Sequence, residues 1–273
     1  MAHWLPMPVK RVFYHLGPLS RGVRWALNFA VPPGLTEVTV SSGDLAGERL
    51  VLDMQAEKDY WLGTYEPELQ AAVRDWVKPG WVAYDVGANI GYISLLLARA
   101  VGINGSVFAF EALPANLERL RVNLGLNLSL GKIVVVPGAV TNVLAPVRFL
   151  IGPSGGMGKV EGSAGRQGIY GQDIEVAGIT LDDFVYNQAQ PVPQVIKMDI
   201  EGGEVMALPG MQRLLIEKRP LLFMELHGFE ASKVAWELLT EVGYTICRMT
   251  SGYPVVPGLD ALDWKAYLMA RPS

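Results

Sequence analysis

Acidic side chains and one histidine follow two apolar runs in the C-terminal half of the chain. Asp199 and Glu201 come after the first run, and Glu225 and His227 end the second. If the runs are neighbouring strands, these four side chains surround one point. A carboxylate or imidazole there could take the proton from a hydroxyl nucleophile, and we assign this role to Asp199, Glu201 and His227. The same set could instead hold a hard divalent cation that acidifies the hydroxyl, or form only a structural ion-pair network.

A glycine-punctuated turn, Asp85-Val86-Gly87-Ala88-Asn89-Ile90-Gly91, joins an apolar strand to a helix. Gly87 leaves room for the main chain to approach a cofactor, and Gly91 lets the helix pack closely on the sheet. The helix start offers backbone N–H groups to a carboxylate. Asp85 can face an ammonium group, directly or through water. We therefore predict cofactor contacts at Asp85, Gly87, Ala88, Asn89 and Gly91.

A second acidic residue supports a nucleoside-type cofactor. Glu111 lies 26 residues after Asp85, at the end of the next apolar run, where its carboxylate can accept hydrogen bonds from ribose hydroxyls. Ala139, just past the third strand, would form a small wall of the adenine pocket. The aspartate two positions before the first glycine points to S-adenosylmethionine (SAM). The three-glycine spacing typical of NAD-binding turns is missing.

The elements that must position these residues alternate between strand and helix patterns. Strands are predicted at Trp81–Asp85, Ser106–Glu111, Ile133–Pro137, Val195–Asp199 and Leu221–Leu226, and helices at Thr64–Val77, Tyr92–Ala100, Pro114–Leu124 and Ala231–Val242. The last two strands, Tyr244–Met249 and Trp264–Ala270, should pair antiparallel. This pattern predicts an α/β fold with a Rossmann-like SAM-methyltransferase sheet, mostly parallel, with an antiparallel C-terminal hairpin. Such a sheet places its ligand crevice at the carboxyl ends of the strands.

Two segments lie outside this alternation. Residues 1–60 form a predicted N-terminal extension with a β-hairpin of Glu37–Ser41 and Arg49–Asp53, which leaves 61–273 as the methyltransferase-like domain. An insertion follows the third strand, where Val143–Ile151 and Ile174–Ile179 are expected to pair antiparallel. Their loop, residues 152–171, carries eight glycines. A loop this long is either functional or disordered, and we favour a lid over the substrate.

Composition excludes several classes of protein. A formal net charge of −4 leaves no basic surplus to neutralise phosphates, so nucleic acid is not an expected partner. No apolar run reaches the ~18–20 residues of a membrane span, and the start lacks a secretory signal pattern, so we expect a cytoplasmic protein. Residues 1–30 interleave basic and aromatic side chains. They favour either peripheral contact with an anionic membrane or packing on their own domain or a second subunit, as in a homodimer.

Six motifs occur in one order between residues 60 and 230. They are Leu62-Gly63-Thr64-Tyr65-Glu66-Pro67-Glu68, Tyr84-Asp85-Val86-Gly87-Ala88-Asn89-Ile90-Gly91, Phe108-Ala109-Phe110-Glu111, Thr180-Leu181-Asp182-Asp183-Phe184, Ile196-Lys197-Met198-Asp199-Ile200-Glu201-Gly202-Gly203-Glu204 and Glu225-Leu226-His227. In this combination the chain resembles the FkbM family of SAM-dependent methyltransferases, whose members mostly methylate hydroxyls on sugars, glycolipids or polyketide-type metabolites. The resemblance implies that Glu66, with Thr64-Tyr65, lies near the methionine end of the cofactor.

The leading hypothesis is therefore a SAM-dependent O-methyltransferase that acts on a hydroxyl of a sugar, glycolipid or related metabolite. Asp85, Gly87, Asn89, Gly91 and Glu111 would hold SAM. A divalent cation is a subsidiary hypothesis. Two alternatives remain open: an NAD-dependent oxidoreductase, and a non-catalytic protein that binds SAM or acts at a membrane surface.

Overall fold

A computed structural model describes residues 34–152, 157–168 and 170–273 of the chain. The chain divides into two compact units, Met1–Tyr65 and Glu66–Ser273, whereas the sequence predicts a boundary after residue 60. Residues 1–30, for which membrane or subunit contact is predicted, lie outside the described residues.

The first unit contains the predicted β-hairpin. Strands β1 (Leu35–Thr39) and β2 (Arg49–Asp53) pair antiparallel, so the hairpin is confirmed, with its first strand beginning and ending two residues earlier than predicted. A helix that the sequence did not reveal, α1 (Lys58–Leu62), follows the hairpin. It has only five residues, too few for an apolar stripe with helical spacing to be recognised.

The second unit alternates strands and helices. Its strands are β3 (Val82–Val86), β4 (Ser106–Glu111), β5 (Lys132–Pro137), β6 (Ala139–Val140), β7 (Val147–Ile151), β8 (Gly158–Val160), β9 (Gln172–Val176), β10 (Gly178–Ile179), β11 (Val195–Met198), β12 (Leu221–His227), β13 (Tyr244–Arg248) and β14 (Lys265–Pro272). Its helices are α2 (Pro67–Trp76), α3 (Tyr92–Val101), α4 (Pro114–Gly125), α5 (Leu181–Tyr186), α6 (Glu204–Ala207), α7 (Gln212–Glu217) and α8 (Phe229–Glu241).

A seven-stranded sheet organises this unit in the order β13-β14-β12-β11-β3-β4-β5. The five strands from β12 to β5 run parallel, whereas β14 pairs antiparallel with both β12 and β13. The predicted Rossmann-like sheet with an antiparallel C-terminal hairpin is therefore confirmed. The order also places β11 between β3 and β12, so the glycine turn and the acidic residues leave neighbouring strands.

An aromatic cluster fills one face of the sheet. Tyr84 of β3 and Phe108 and Phe110 of β4 surround Phe184 of α5, with ring centroids 5.1–5.8 Å from Phe184. The hydroxyl of Thr180 caps α5 by accepting a hydrogen bond from the N–H of Asp183. This helix was not predicted because its six residues are too short for a clear period. In the described ranges, no helix has both the length and the apolar character needed to cross a bilayer.

The glycine-rich insertion is partly a sheet. Strand β7 pairs antiparallel with β9, which confirms the predicted pairing, although both strands are shorter than expected. Inside the predicted loop, β8 adds a third strand to β7. The end of the second predicted strand departs from the hairpin, because Gly178–Ile179 pair parallel with Ala139–Val140.

Candidate active site

The predicted site residues leave the sheet at one edge. In the register of the parallel strands, Val86 lies opposite Phe110 and Met198, and Met198 lies opposite Met224. The glycine turn, Glu111, Asp199 and Glu225 therefore all lie at the carboxyl ends of adjacent strands. This is where Rossmann-like sheets bind their ligands.

His227 lies between the carboxylates predicted to act with it. Its Nε2 is 3.1 Å from Asp199 Oδ1 and 3.1 Å from Glu225 Oε1, and its Nδ1 is 3.9 Å from Glu201 Oε2. The ammonium of Lys265 also contacts Glu225. The structure thus brings together all four residues that the sequence placed at strand ends.

The surrounding carboxylates control protonation at this cluster. Burial alone would lower the pKa of His227, but hydrogen bonds to Asp199 and Glu225 outweigh it and raise the pKa to about 10. Burial would likewise raise the pKa of Asp199, but its hydrogen bond to His227 and the charge of Lys197 lower it overall. His227 is therefore an imidazolium at neutral pH, held by an ionised Asp199.

Glu201 behaves differently from Asp199. Its pKa is raised, chiefly by burial, although the charge of His227 opposes the shift. A base whose pKa is closer to neutrality is a better proton acceptor at physiological pH. The side chain of Glu201 retains 27% exposure, which gives an accepted proton a route to water.

The glycine turn is held by backbone hydrogen bonds to β4 and within the turn. The N–H groups of Gly87 and Ala88 both donate to the carbonyl of Phe110, and the N–H of Gly91 donates to the carbonyl of Ala88. Ala88 is buried among Ala109, Leu117 and Leu120 rather than in an open crevice. The amides at these three positions are thus already used to shape the turn.

The two glycines of the turn are required by protein contacts. Gly87 has φ +82°, and a Cβ there would overlap the main-chain carbonyl oxygen of Asp199. Gly91 has φ +95°, and its Cβ would lie 2.7 Å from Leu120 Cδ1 of α4. The sequence predicts that the space at Gly87 admits the cofactor. The structure instead puts the first acidic residue of the cluster there, so the turn and the cluster are in contact.

Glu111 is positioned by three backbone amides. Its Oε2 accepts a hydrogen bond from the N–H of Asn89 (2.8 Å), and its Oε1 accepts from Ala112 (2.9 Å) and Leu113 (2.8 Å). Burial raises the pKa of Glu111, while these three hydrogen bonds oppose the shift. A carboxylate has about four acceptor positions, so one on Oε2 is left for a ribose hydroxyl.

Asp85 is a buried structural acid in this conformation. Its Oδ2 accepts a 2.6 Å hydrogen bond from the Ser94 hydroxyl, and the ammonium of Lys197 lies 3.3 Å from its Oδ1. Lys197 also donates to the carbonyl of Gly87 at 2.9 Å. Burial alone would lower the pKa of Lys197, but the charges of Asp85, Asp199 and Glu66 raise it. Lys197 thus links the turn to the acidic cluster, and Glu66 is close enough to affect it.

Backbone strain occurs at several of the predicted residues. Among the described non-glycine residues, six have positive φ, and three of them are predicted site residues: Glu66 (43°), Asn89 (50°) and Glu201 (56°). This conformation costs about 1–3 kcal/mol per residue and persists where surrounding structure imposes it. Two of the three, Asn89 and Glu201, follow β3 and β11 at the carboxyl ends of these strands, which is consistent with a functional site there.

Ala139 lies beside the Glu111 segment. It is buried and packs in one apolar cluster with Ala112 and Leu113, the two residues that follow Glu111. The N–H of Gly138, the residue before Ala139, donates to the carbonyl of Glu111 at 2.9 Å. The expected wall of an adenine pocket is therefore adjacent to the acid expected to bind the ribose.

Several residues at the site were missed by sequence reasoning. Ser94, Lys265 and Trp264 were not singled out, although each touches a predicted residue. The ring of Trp264 lies edge-on to His227, 6.2 Å between centroids. The sequence predicts that the last strand pairs with Tyr244–Met249, but not that it also pairs with β12, where Lys265 lies opposite His227. That second pairing brings Lys265, and Trp264 beside it, to the site. Ser94 could have been recognised from its spacing, because it lies three residues after Gly91, in the first turn of the following helix.

The fold and the site define a Rossmann-like α/β protein with a glycine turn beside an acidic cluster. The family model described as the methyltransferase FkbM domain matches residues 85–246, which is more than half of the chain. The chain belongs to this family, as the order of its motifs suggested.

Individual relatives are similar in sequence to part of the chain. The hexuronic acid methyltransferase AglP of Haloferax volcanii is 29% identical over 165 residues, 59% of this chain and 62% of its own length. A protein-L-isoaspartate O-methyltransferase of Caenorhabditis elegans is 28% identical over 108 residues, 37% of this chain and 48% of its own length. The chain thus spans less than two thirds of these relatives. A solved structure of methyltransferase FkbM from Methylobacillus flagellatus KT is 18% identical, covers 80% of this chain and 54% of its own, and has a TM-score of 0.44.

Proposed function

We propose that the chain is a SAM-dependent O-methyltransferase that transfers a methyl group to a hydroxyl of a sugar, glycolipid or related metabolite. One observation carries the proposal: the carbonyl of Asp199 fills the space beside Gly87, so the donor turn and the acidic cluster adjoin. Family membership favours SAM over NAD as the cofactor of that turn.

The reaction breaks the bond between the sulfonium sulfur and the methyl carbon of SAM. A bond forms between that carbon and the acceptor oxygen, the bond electrons pass to sulfur, and the hydroxyl proton must leave. Alignment of donor and acceptor can supply about 7–11 kcal/mol of the barrier reduction. Proton removal is the task of the acidic cluster.

We assign proton removal to Glu201 and positioning to Asp199 and His227. The raised pKa and partial exposure of Glu201 suit a base that accepts a proton and releases it to water. His227, with a pKa raised to about 10, is already protonated at neutral pH and holds Asp199 and Glu225 in place. This revises the predicted division of labour, in which His227 also accepts the proton.

The acceptor is supported by the relatives. The Haloferax volcanii relative is a hexuronic acid methyltransferase, and the Caenorhabditis elegans relative is an O-methyltransferase. The first supports a sugar acceptor, and the second supports transfer to oxygen. A hexuronic acid offers both hydroxyls and a carboxylate, and only a hydroxyl requires the acidic cluster to remove a proton.

Methyl transfer to a panel of sugars and glycolipids tests the proposal. The full chain is incubated with methyl-labelled SAM, and mass spectrometry locates the label in each product. We expect label on a hydroxyl oxygen of a sugar. Label found only on nitrogen, or no transfer to any compound in the panel by protein that binds SAM, would contradict the proposal.

A divalent cation is a subsidiary proposal. Asp199, Glu225 and His227 each offer one ligand atom, and these atoms lie within 4.8 Å of one another. Oxygen and imidazole ligands suit several divalent metals. However, Lys265 already contacts Glu225, and His227 Nε2 already bridges the two carboxylates, so a cation would displace existing partners. Activity that survives chelation and extensive dialysis would exclude this proposal.

Membrane contact through residues 1–30 and a homodimer also stay proposals. Liposome binding by the full chain, compared with a variant in which Lys10, Arg11, Arg21 and Arg24 are replaced by glutamine, tests the first. Equal binding by both proteins would exclude electrostatic attachment.

A further inference from the structure

The glycine-rich insertion forms part of the wall of the acidic site. The N–H of Ala164 donates to the carbonyl of Gly202 at 3.0 Å. A Cβ on Gly165 would lie 2.9 Å from the carbonyl oxygen of Glu201 and 3.4 Å from His227 Cβ. Residues 163–166, which we call the wall loop, therefore pack directly on the residues that we place around the acceptor hydroxyl.

A buried lysine holds the wall loop in shape. Lys159 of β8 is only 1% exposed. Its ammonium donates hydrogen bonds to the carbonyls of Ser163 (3.3 Å), Ala164 (2.9 Å) and Arg166 (2.8 Å). Burial lowers the pKa of Lys159, which the charge of Glu201 opposes. A buried ammonium is costly unless it is fully hydrogen-bonded, so these three bonds fix the loop backbone up to Arg166.

The wall loop presents Arg166 beside Trp264. The guanidinium carbon of Arg166 lies 6.0 Å from the centroid of the Trp264 ring, whose edge in turn faces His227. Trp264 is 48% exposed, and its carbonyl accepts a 2.7 Å hydrogen bond from Gly228, next to His227. An exposed aromatic surface and a cation thus adjoin the predicted catalytic residues.

Arg166 differs from three other arginines of this unit. Arg148, Arg213 and Arg248 each pair with a carboxylate. Within the described part of the chain, no ion pair involves Arg166, which is exposed. A guanidinium that no protein carboxylate neutralises, placed at the mouth of an acidic site, can bind an acidic group of a ligand.

We propose that Arg166 and Trp264 form the acceptor subsite and select a sugar that bears a carboxylate. Trp264 offers an apolar surface to one face of the sugar ring. Arg166 binds the carboxylate with its two-pronged guanidinium. One guanidinium balances the single charge of a carboxylate, whereas a phosphate monoester carries about −1.5 to −2. Lys159 is a positioning residue that acts through the wall loop.

This inference rests on the proposed function, and its test separates the two. The probes are methyl glucuronide and methyl glucoside, which differ only in a carboxylate against a hydroxymethyl group. Binding of each sugar to the full chain saturated with the demethylated product, S-adenosylhomocysteine, is measured first. We expect the glucuronide to bind more tightly by at least about tenfold, because charge-assisted hydrogen bonds are lost with the glucoside.

Variants then assign the preference to residues. Arg166→Met should abolish the preference for methyl glucuronide, because only the affinity for that sugar falls. Arg166→Lys should restore part of the preference. Lys159→Met should raise the KM of the glucuronide while leaving the affinity for S-adenosylhomocysteine unchanged. Arg121→Met, which removes an exposed arginine on α4, is the matched control and should change nothing.

Each other outcome contradicts one of the two proposals. Equal binding of both sugars, or a preference that survives Arg166→Met, would overturn the carboxylate subsite and leave the methyltransferase proposal standing. Binding of neither sugar would overturn the subsite. Absence of methyl transfer to any acceptor, despite a preference that depends on Arg166, would overturn the proposed function instead.

Discussion

Glu201 and His227 are neighbours in one charge network, with His227 Nδ1 3.9 Å from Glu201 Oε2, and burial decides the pKa of only one of them. For Glu201, burial dominates and raises the pKa of the carboxyl. For His227, the partnering carboxylates dominate and raise the pKa of the imidazole to about 10. At neutral pH the first is therefore a better base than an ordinary glutamate, and the second is a fixed positive charge.

Replacement of Glu201 tests the base directly. Glu201→Gln keeps the size of the side chain but cannot accept the hydroxyl proton. We expect kcat to fall about 10²–10⁴-fold, the usual contribution of a general base, while the affinity for SAM stays the same. The matched control is Glu175→Gln, on an exposed position of β9. Unchanged kcat in Glu201→Gln would move the base to another residue.

The histidine gives a prediction about stability and pH. The folded-state pKa of His227, about 10, lies above its ordinary value of 6.5. A raised pKa contributes stability that is complete below pH 6.5 and is lost as pH rises through about 10. The difference in Tm between the protein and His227→Gln should therefore shrink between these pH values, as measured by calorimetry. A difference that is constant across this range would contradict an imidazolium in the folded state.

At the residue scale, the sequence predicted which side chains meet in the acidic cluster, but not the contacts of each one. Acids that end apolar runs must meet if the runs are adjacent parallel strands, so Asp199, Glu225 and His227 were recognisable. The partner of Asp85 was not, because whether its carboxylate faces a ligand or Lys197 depends on side-chain packing. Lys159 was equally hidden, since its partners are backbone carbonyls that no residue type reveals.

The turn after β3 is the element on which the site depends. Its left-handed Gly87 brings the end of β3 against the carbonyl of Asp199 at the end of β11. The sequence predicted the turn and its glycines correctly. It did not reveal which atoms occupy the space beside Gly87, because that depends on the order of the strands.

A pair of glycine substitutions separates backbone strain from contact. Gly87 and Gly80 have nearly equal φ, +82° and +84°, but only Gly87 has neighbours within 4 Å of a Cβ. Gly80→Ala should lower the free energy of unfolding by about 1–2 kcal/mol, through the unfavourable backbone conformation alone. Gly87→Ala should lower it by about 1–3 kcal/mol more, because a methyl group must also be forced into a packed space. Denaturant unfolding measures both, and equal losses would contradict the contact at Asp199.

The segment after β11 contains a second titratable element. Glu204 is fully buried at the start of α6, its Oε1 accepts a hydrogen bond from the N–H of Ile200, and burial raises its pKa to about 7. Because the folded state favours the protonated carboxyl, the contribution of Glu204 to stability is complete below pH 4.5. It is lost as pH rises through about 7, where the buried carboxyl becomes charged.

Replacement of Glu204 should therefore stabilise the protein only at higher pH. Glu204→Gln keeps the acceptor for Ile200 and avoids a buried charge. Its Tm should exceed that of the unmodified protein above pH 7 and approach it below pH 4.5. Thermal unfolding across this range is the measurement, with Glu175→Gln as the exposed control. A stabilisation independent of pH would show that Glu204 does not titrate in the folded state.

At the scale of elements, long apolar runs were predictable and short elements were not. Strands β11 and β12 are buried on both faces, so their sequences are mostly apolar. The three-residue strand β8 and the four-residue helix α6 depend on neighbours distant in sequence, and their own residues carry no period. The predicted loop 152–171 therefore concealed the strand that carries Lys159.

At the scale of the whole molecule, the strand order decides what the chain can do. Because β11 separates β3 from β12, the donor turn, the acids and the predicted adenine wall share one edge of a single sheet. Any ligand gripped by the turn and Glu111 lies next to Asp199 and Glu201. Family membership makes SAM the methyl donor, and we propose that the acids act on the acceptor beside it.

Binding of the cofactor is the most direct test of this account. Titration calorimetry of the full chain with SAM, with S-adenosylhomocysteine and with NADH should give saturable one-to-one binding for the first two and none for NADH. Glu111→Gln should lower the affinity for SAM by at least about tenfold, because a charge-assisted hydrogen bond to the ribose is lost. Absence of binding by both SAM and S-adenosylhomocysteine, or tighter binding of NADH, would contradict a SAM site formed by the glycine turn and Glu111.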